Sequence, residues 1–195
     1  MSEYRFDVFV SYARHGTSGQ WVNEHFREIL SSRLADELSD EPRIFLDTDM
    51  RPGAVWPAEI REALHRSKMM VSVLSAPYFS SSWCQSELRT ILEREKLCGL
   101  PRPGQHPGLV IPLSYGDGEA YWPEVHARQL RSVKDFAYVG PAFRQSEKYI
   151  RFQDFAMELA SQIATLLSTV PAWSADWPIL EVPASAPPVA TLPGR

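Results

Sequence analysis

Lysine is scarce in this chain. Only Lys68, Lys96, Lys134 and Lys148 occur in 195 residues, and none sits in a Gly-Lys-Ser/Thr context. A phosphate-cradling P-loop is therefore absent. The formal net charge of -4 argues against direct nucleic-acid binding as the main activity, since neutralising phosphates needs clustered Lys and Arg. Long apolar runs are missing too. None approaches bilayer length, and the first is too short for a signal-peptide core, so neither membrane spanning nor secretion is expected.

Cysteine is limited to Cys84 and Cys98. Both fall on one expected helix, where a 1.5 Å rise per residue separates them by roughly 21 Å, too far for a disulfide. The histidines, His15, His25, His65, His106 and His126, show no zinc-type spacing and read as surface or interface residues. A reduced, cytosolic protein without a metal is the expectation. There is no Gly-x-Ser-x-Gly elbow and no convincing Ser/His/Asp set, which argues against a serine hydrolase.

What is present is the material of one globular domain, 44% hydrophobic and 23% charged. Phe6 to Tyr12 is rich in β-branched and aromatic residues and reads as a first strand. Val22, Phe26, Ile29, Leu30, Leu34 and Leu38 then recur at helical spacing. Arg43 to Leu46 reads as a second strand, and Pro57 opens a helix through Ile60, Ala63 and Leu64. Met69 to Leu74 is continuously apolar, the mark of a strand buried on both faces. A helix from Trp83 to Cys98, a strand at Leu109 to Leu113, an irregular stretch from Ser114 to Arg131, a fifth strand at Asp135 to Val139 and a helix from Phe152 to Leu167 complete the pattern. Strands alternating with helices predict an α/β fold with a parallel sheet covered on both faces.

After Val170 the chain becomes proline-rich, and that composition builds no core of its own. Residues 1–170 therefore read as the domain and 171–195 as a linker or tail. Trp173 and Trp177 are expected to pack back, the remainder leading to a sensor or oligomerising domain outside this chain.

Ligands of open parallel sheets bind beyond the carboxyl ends of the strands, where strand order reverses. Three polar and aromatic clusters occupy such ends: Ser11-Tyr12-Ala13-Arg14, the loop Asp47 to Trp56, and Ser75 to Glu87. In the last, Trp83 and Glu87 are four residues apart on one helix face, and Ser82 with Gln85 fits a capping box. A flavodoxin-like strand order 2-1-3-4-5 puts the first and third clusters at the switch point. Taken alone, each residue has a plain structural reading: Glu87 as a solvated helix residue, Trp83 as a core anchor, Tyr12 as the end of a strand, Arg14 as half of a surface ion pair, and Asp47 as a turn residue.

Phe6-Asp7-Val8-Phe9-Val10-Ser11-Tyr12 resembles the first signature box of Toll/interleukin-1 receptor (TIR) domains, and the loop with Arg51-Pro52-Gly53 resembles their second. Ser82-Trp83-Cys84-Gln85-Ser86-Glu87 is similar to the segment that bears the catalytic glutamate of TIR domains that hydrolyse NAD+. The match runs in order over residues 1 to about 170; a third box is not readable. The resemblance implies a flavodoxin-like five-stranded sheet and one of two trades, NAD+ cleavage or adaptor scaffolding. It makes Glu87 the catalytic carboxylate and Trp83 a wall of its pocket. Ser11, Tyr12 and Arg14 become the edge near ribose and phosphates, with Asp47 ending the second strand and Trp56 near the nicotinamide. Some relatives carry a basic residue after the tyrosine, where this chain has Ala13.

One carboxylate is enough for such a reaction. Ordinary glycosidases need a second one to protonate or displace the leaving group. The nicotinamide of NAD+ is already cationic and departs neutral, leaving an oxocarbenium-like ribose that an ionised glutamate stabilises. Water then gives ADP-ribose, and attack by the adenine gives a cyclic product. NAD+ is thus expected as substrate, with no cofactor or metal, in an antiviral or other immune response gated by self-association with further TIR domains. The alternatives are a catalytically silent TIR adaptor acting through the second-strand loop and, more weakly, a phosphoacceptor or nucleotide-binding flavodoxin-like domain built on Asp47.

Overall fold

The structure is a computed structural model that describes residues 4–46, 56–102, 104, 107–117 and 121–181. β1 (Phe6–Tyr12), β2 (Ile44–Leu46), β3 (Ser67–Leu74), β4 (Val110–Ser114) and β5 (Arg131–Ser132) form one all-parallel sheet in the order β2-β1-β3-β4-β5. Sequence order reverses between β1 and β3, whose register pairs Ser11 with Ser72 and Tyr12 with Val73. The switch point therefore lies at the carboxyl ends of these two strands.

Period-two alternation along β1 sorts its side chains onto two faces. Val8, Val10 and Tyr12 join a core with α1 (Thr17–Trp21), α2 (Arg27–Glu37) and α7 (Glu147–Leu167), through Trp21, Phe26, Leu30, Phe152 and Ile163. Phe9 and Ala13 join a second core with α3 (Trp56–His65), α4 (Ala76–Ser80) and α5 (Ser82–Leu97), through Ile60, Leu64, Tyr78, Leu88 and Ile91. Each such side chain contributes about 1.5–3 kcal/mol when fully withdrawn from water. A π-helical turn, Val22–Phe26, joins α1 to α2, and its wider winding keeps Trp21, Val22 and Phe26 all inside.

Several local expectations are corrected. Asp135 to Val139 is not a strand: Lys134–Phe136 is a 3-10 turn, and Phe136 and Val139 pack on the first core without ladder bonds. The fifth strand is instead Arg131–Ser132, paired with Leu113 and Ser114. The irregular stretch holds α6 (Pro123–His126), and α7 begins at Glu147, five residues before its predicted start. The cap of α5 is Ser81, whose hydroxyl accepts from the Cys84 amide at 3.3 Å; Ser82 is already helical. Two histidines are interior, His25 at 2% and His65 at 8% exposure. Burial holds both imidazoles below their ordinary pKa.

The packed body also runs past residue 170. Tyr4 donates its hydroxyl to the Pro171 carbonyl at 2.8 Å, and the Trp173 indole donates to the His65 carbonyl at 3.3 Å. Trp177, 8% exposed, lies against the Arg94 guanidinium at 4.2 Å and the Tyr4 ring at 5.7 Å. Trp173 and Trp177 thus pack back as expected, supplying the anchoring that the prolines and small residues lack. No helix among the described residues is long and apolar enough to cross a membrane.

Candidate functional site

The site begins with a helix that the sequence reading passed over. Ser75 follows β3 in extended conformation, and its hydroxyl accepts from the Tyr78 amide, capping α4 with Pro77 in the first turn. This short helix turns the Tyr78 ring beneath α5, where it is fully buried. A serine cap followed by proline was the available signal for α4, and with it for Tyr78.

From the opposite strand, Ser11 projects toward the same point because its side chain lies on the face of β1 shared by Phe9 and Ala13. Ser11 Oγ donates to Glu87 Oε2 at 2.6 Å and lies 2.8 Å from the Tyr78 hydroxyl. The proton order follows from counting donors. Serine has one hydrogen, which the carboxylate receives, so the Tyr78 hydroxyl donates to Ser11 Oγ. Burial, with Cys84 and Glu87 adding to it, pushes the Tyr78 phenol well above its ordinary pKa, so it remains a donor. Glu87, 8% exposed on the second turn of α5, thus ends a hydroxyl chain that starts inside the core. A carboxylate withdrawn from water needs such partners to keep its charge.

Of the other residues singled out in the sequence, Trp83 shares a small cavity with Glu87, lined also by Ile60 and Leu64 of α3, Thr90 of α5, and Ile179 and Leu180 of the tail. Tyr12 does not share it. One step along the strand from Ser11, its ring packs in the opposite core, with the hydroxyl 3.4 Å from Asn23 Oδ1. The Tyr12 carbonyl does face α5 and accepts from Cys84 Sγ at 3.5 Å. Arg14 is exposed on the turn between β1 and α1. Asp47 and the Arg51-Pro52-Gly53 loop lie outside the described residues, and Trp56 is described only as the first residue of α3. No group of three or more His, Cys, Asp or Glu able to hold a metal occurs among the described residues.

The family model described as TIR domain matches residues 8–145. Among curated proteins, the chain is 29% identical over 92 residues to the TMV resistance protein N of Nicotiana glutinosa, covering 47% of this chain and 7% of that protein. It is 33% identical over 97 residues to the disease resistance protein RML1B of Arabidopsis thaliana, covering 49% and 9%. The matched stretch is thus under a tenth of these plant relatives' length. Among solved structures, the TIR domain of the Toll-related receptor TRR-2 from Hydra magnipapillata aligns with a TM-score of 0.49 at 17% identity, over 77% of this chain and 98% of that one. The TIR domains of the activated Roq1 resistosome align with a TM-score of 0.42 at 20% identity, over 83% and 84%.

Proposed function

This chain belongs to the TIR domain family, and from that premise we propose that it is an NAD+ glycohydrolase that acts on self-association in an immune response. The observation that carries the reading is the buried carboxylate of Glu87, held at the sheet's switch point by Ser11, which Tyr78 in turn holds. A surface glutamate on a helix has no need of two buried hydroxyls; a carboxylate that must stay ionised and fixed does. Trp83, one turn earlier and on the same cavity, supplies an aromatic wall.

In the proposed reaction the C1′–N bond to nicotinamide breaks, and both electrons go to the pyridinium ring, which leaves neutral. The positive charge is left on the ribose as an oxocarbenium ion. Glu87 stabilises that charge, and because its geometry is set beforehand by Ser11, no reorganisation is needed as the charge develops. Water attack at C1′ with loss of a proton gives ADP-ribose; attack by an adenine nitrogen gives a cyclic product. No cofactor or metal takes part. In this reading Tyr12 meets α5 through its backbone carbonyl rather than its ring, and Arg14 is an exposed side chain on the turn that follows β1.

The test uses the full chain, concentrated or artificially clustered, incubated with NAD+ while nicotinamide release is followed beside Glu87→Ala. Release that is lost in the variant is the expected outcome. No release from the clustered wild type, or equal release from both, sinks the reading and leaves a silent adaptor.

A further inference from the structure

The cavity shared by Trp83 and Glu87 is nearly filled. About 10 Å3 of space remains in it, at or below what one water requires, and two of its lining residues, Ile179 and Leu180, come from the tail. We propose that residues 177–181 form a strap that lies in the groove between α3 and α5 and covers the Trp83–Glu87 face, so that this face admits a ligand only when the strap lifts. The inference rests on the NAD+ reading for its substrate and extends it to how the site is controlled.

The strap is attached firmly at one end and lightly at the other. Its firm end is Trp177, buried over the Arg94 guanidinium, and Arg94 itself is 0% exposed and donates to the carbonyls of Ser67 and Leu64 at 2.8 and 3.0 Å. Pro178 follows and favours extended backbone at Trp177, directing the chain along the groove. Beyond it the hold is slight. The Leu180 amide donates to Thr90 Oγ1 at 3.1 Å, and Ser86 Oγ donates to the Glu181 carbonyl at 3.4 Å. Arg61 lies 3.9 Å from the Glu181 carboxylate, whose side chain is 86% exposed, a pairing of small worth. Ile179 remains 37% exposed over the groove. Residues 179–181 can therefore leave while Trp177 stays seated, which is the behaviour of a hinged cover.

The cover stands over functional atoms. Ser86 and Thr90, which grip it, flank Glu87 on α5, and Ile60 and Leu64 form the other wall. A ligand for this face competes with the strap, so its apparent affinity falls by the fraction of molecules in which the strap is lifted.

Two measurements on the full chain test this. In the first, Ser86→Cys is introduced with and without the pair Ile179→Asp and Leu180→Asp, and maleimide labelling at position 86 is timed by peptide mass. In the second, the charged pair alone is compared with wild type for nicotinamide release at one fixed concentration of clustered protein. The expected result is labelling and release both faster by roughly ten-fold or more in the strap variant. A gain in release cannot come from misfolding, and labelling that rises at position 86 but not at the buried Cys84 of the same chain separates a lifted strap from an opened fold. Equal labelling overturns the proposal, and so does faster labelling with release unchanged or slower than an active wild type. If neither chain cleaves NAD+, the substrate reading fails separately, and the cover stands or falls on the labelling ratio.

Discussion

Ser11 Oγ lies 2.6 Å from Glu87 Oε2, joining the carboxyl end of β1 to the second turn of α5 across 76 positions of sequence. The bond ties the orientation of the carboxylate to a strand of the sheet. Replacing Glu87 by glutamine keeps shape and volume and removes the charge. Glu87→Gln is expected to reduce nicotinamide release by at least ~100-fold, the scale of losing one preorganised electrostatic group. Thermal unfolding should move little. A variant that retains most of the wild-type rate rules out the electrostatic role.

Ser11→Ala and Tyr78→Phe remove the hydroxyls behind the carboxylate without changing backbone propensity. Each is expected to lower kcat by roughly ten-fold while leaving KM nearly constant, because the loss is in positioning. The two hydroxyls act in series, so the double variant should lose little more than Ser11→Ala alone. Additive losses in a double-mutant cycle contradict the chain of hydrogen bonds.

Arg94 reports on the base of the strap. Its guanidinium meets the carbonyls of Ser67, Leu64 and His65, and burial, partly offset by Tyr4 and Cys98, lowers its pKa to about 10. It stays charged at neutral pH. Arg94→Ala removes the side-chain donor that the Ser67 and Leu64 carbonyls share, while the His65 carbonyl keeps the Trp173 indole, and the expected loss is about 2–5 kcal/mol in urea unfolding. Arg94→Lys should recover only part of it, since an ammonium cannot span carbonyls arranged for a planar fork.

Gly19 permits the close approach of α1 to the turn that follows β1. A Cβ at this position meets the backbone carbonyl oxygens of Arg14 and Ala13, the latter at 2.7 Å. Backbone cannot rotate aside as a side chain can. Gly19→Ala is expected to destabilise the fold by about 1–3 kcal/mol, read as a lower urea midpoint. An unchanged midpoint shows that α1 shifts freely.

At the other end of the sheet, Asp7 is buried and bonds Arg43, through its amide at 2.9 Å and guanidinium at 3.2 Å, and Lys68 at 2.8 Å. Burial pushes its pKa up, but the hydrogen bonds from Arg43 and Lys68 prevail and hold it below the ordinary carboxylate value. A depressed folded pKa stabilises the native state above the unfolded pKa, and that stability disappears as pH falls through the folded value. Asp7→Asn should therefore lose about 1–3 kcal/mol at pH 7. The gap between variant and wild type should narrow as the pH drops below about 4. A constant gap across that range excludes the charge as its source.

Much of this protein was legible before any coordinates. Phe6 to Tyr12 and Met69 to Leu74 declare themselves as buried strands by composition, and spacing placed Trp83 and Glu87 on one face of a helix. The family resemblance drew attention to Ser11 and Glu87. Asp135 to Val139 misled because an aromatic and a valine pack equally well from a turn.

What the sequence determined by itself is local: the periods of strands and helices, the parallel alternation they imply, and the residue types available at each strand end. Those follow from backbone geometry within a few residues. Tertiary structure alone decided that Ser11 faces Glu87 while Tyr12 turns into the opposite core, that Tyr78 stands behind Ser11, and that Leu180 reaches Thr90. Each of these pairings joins residues far apart in the chain, and it exists only because strand register and the packing of α3, α4 and α5 on one face bring them within bonding distance.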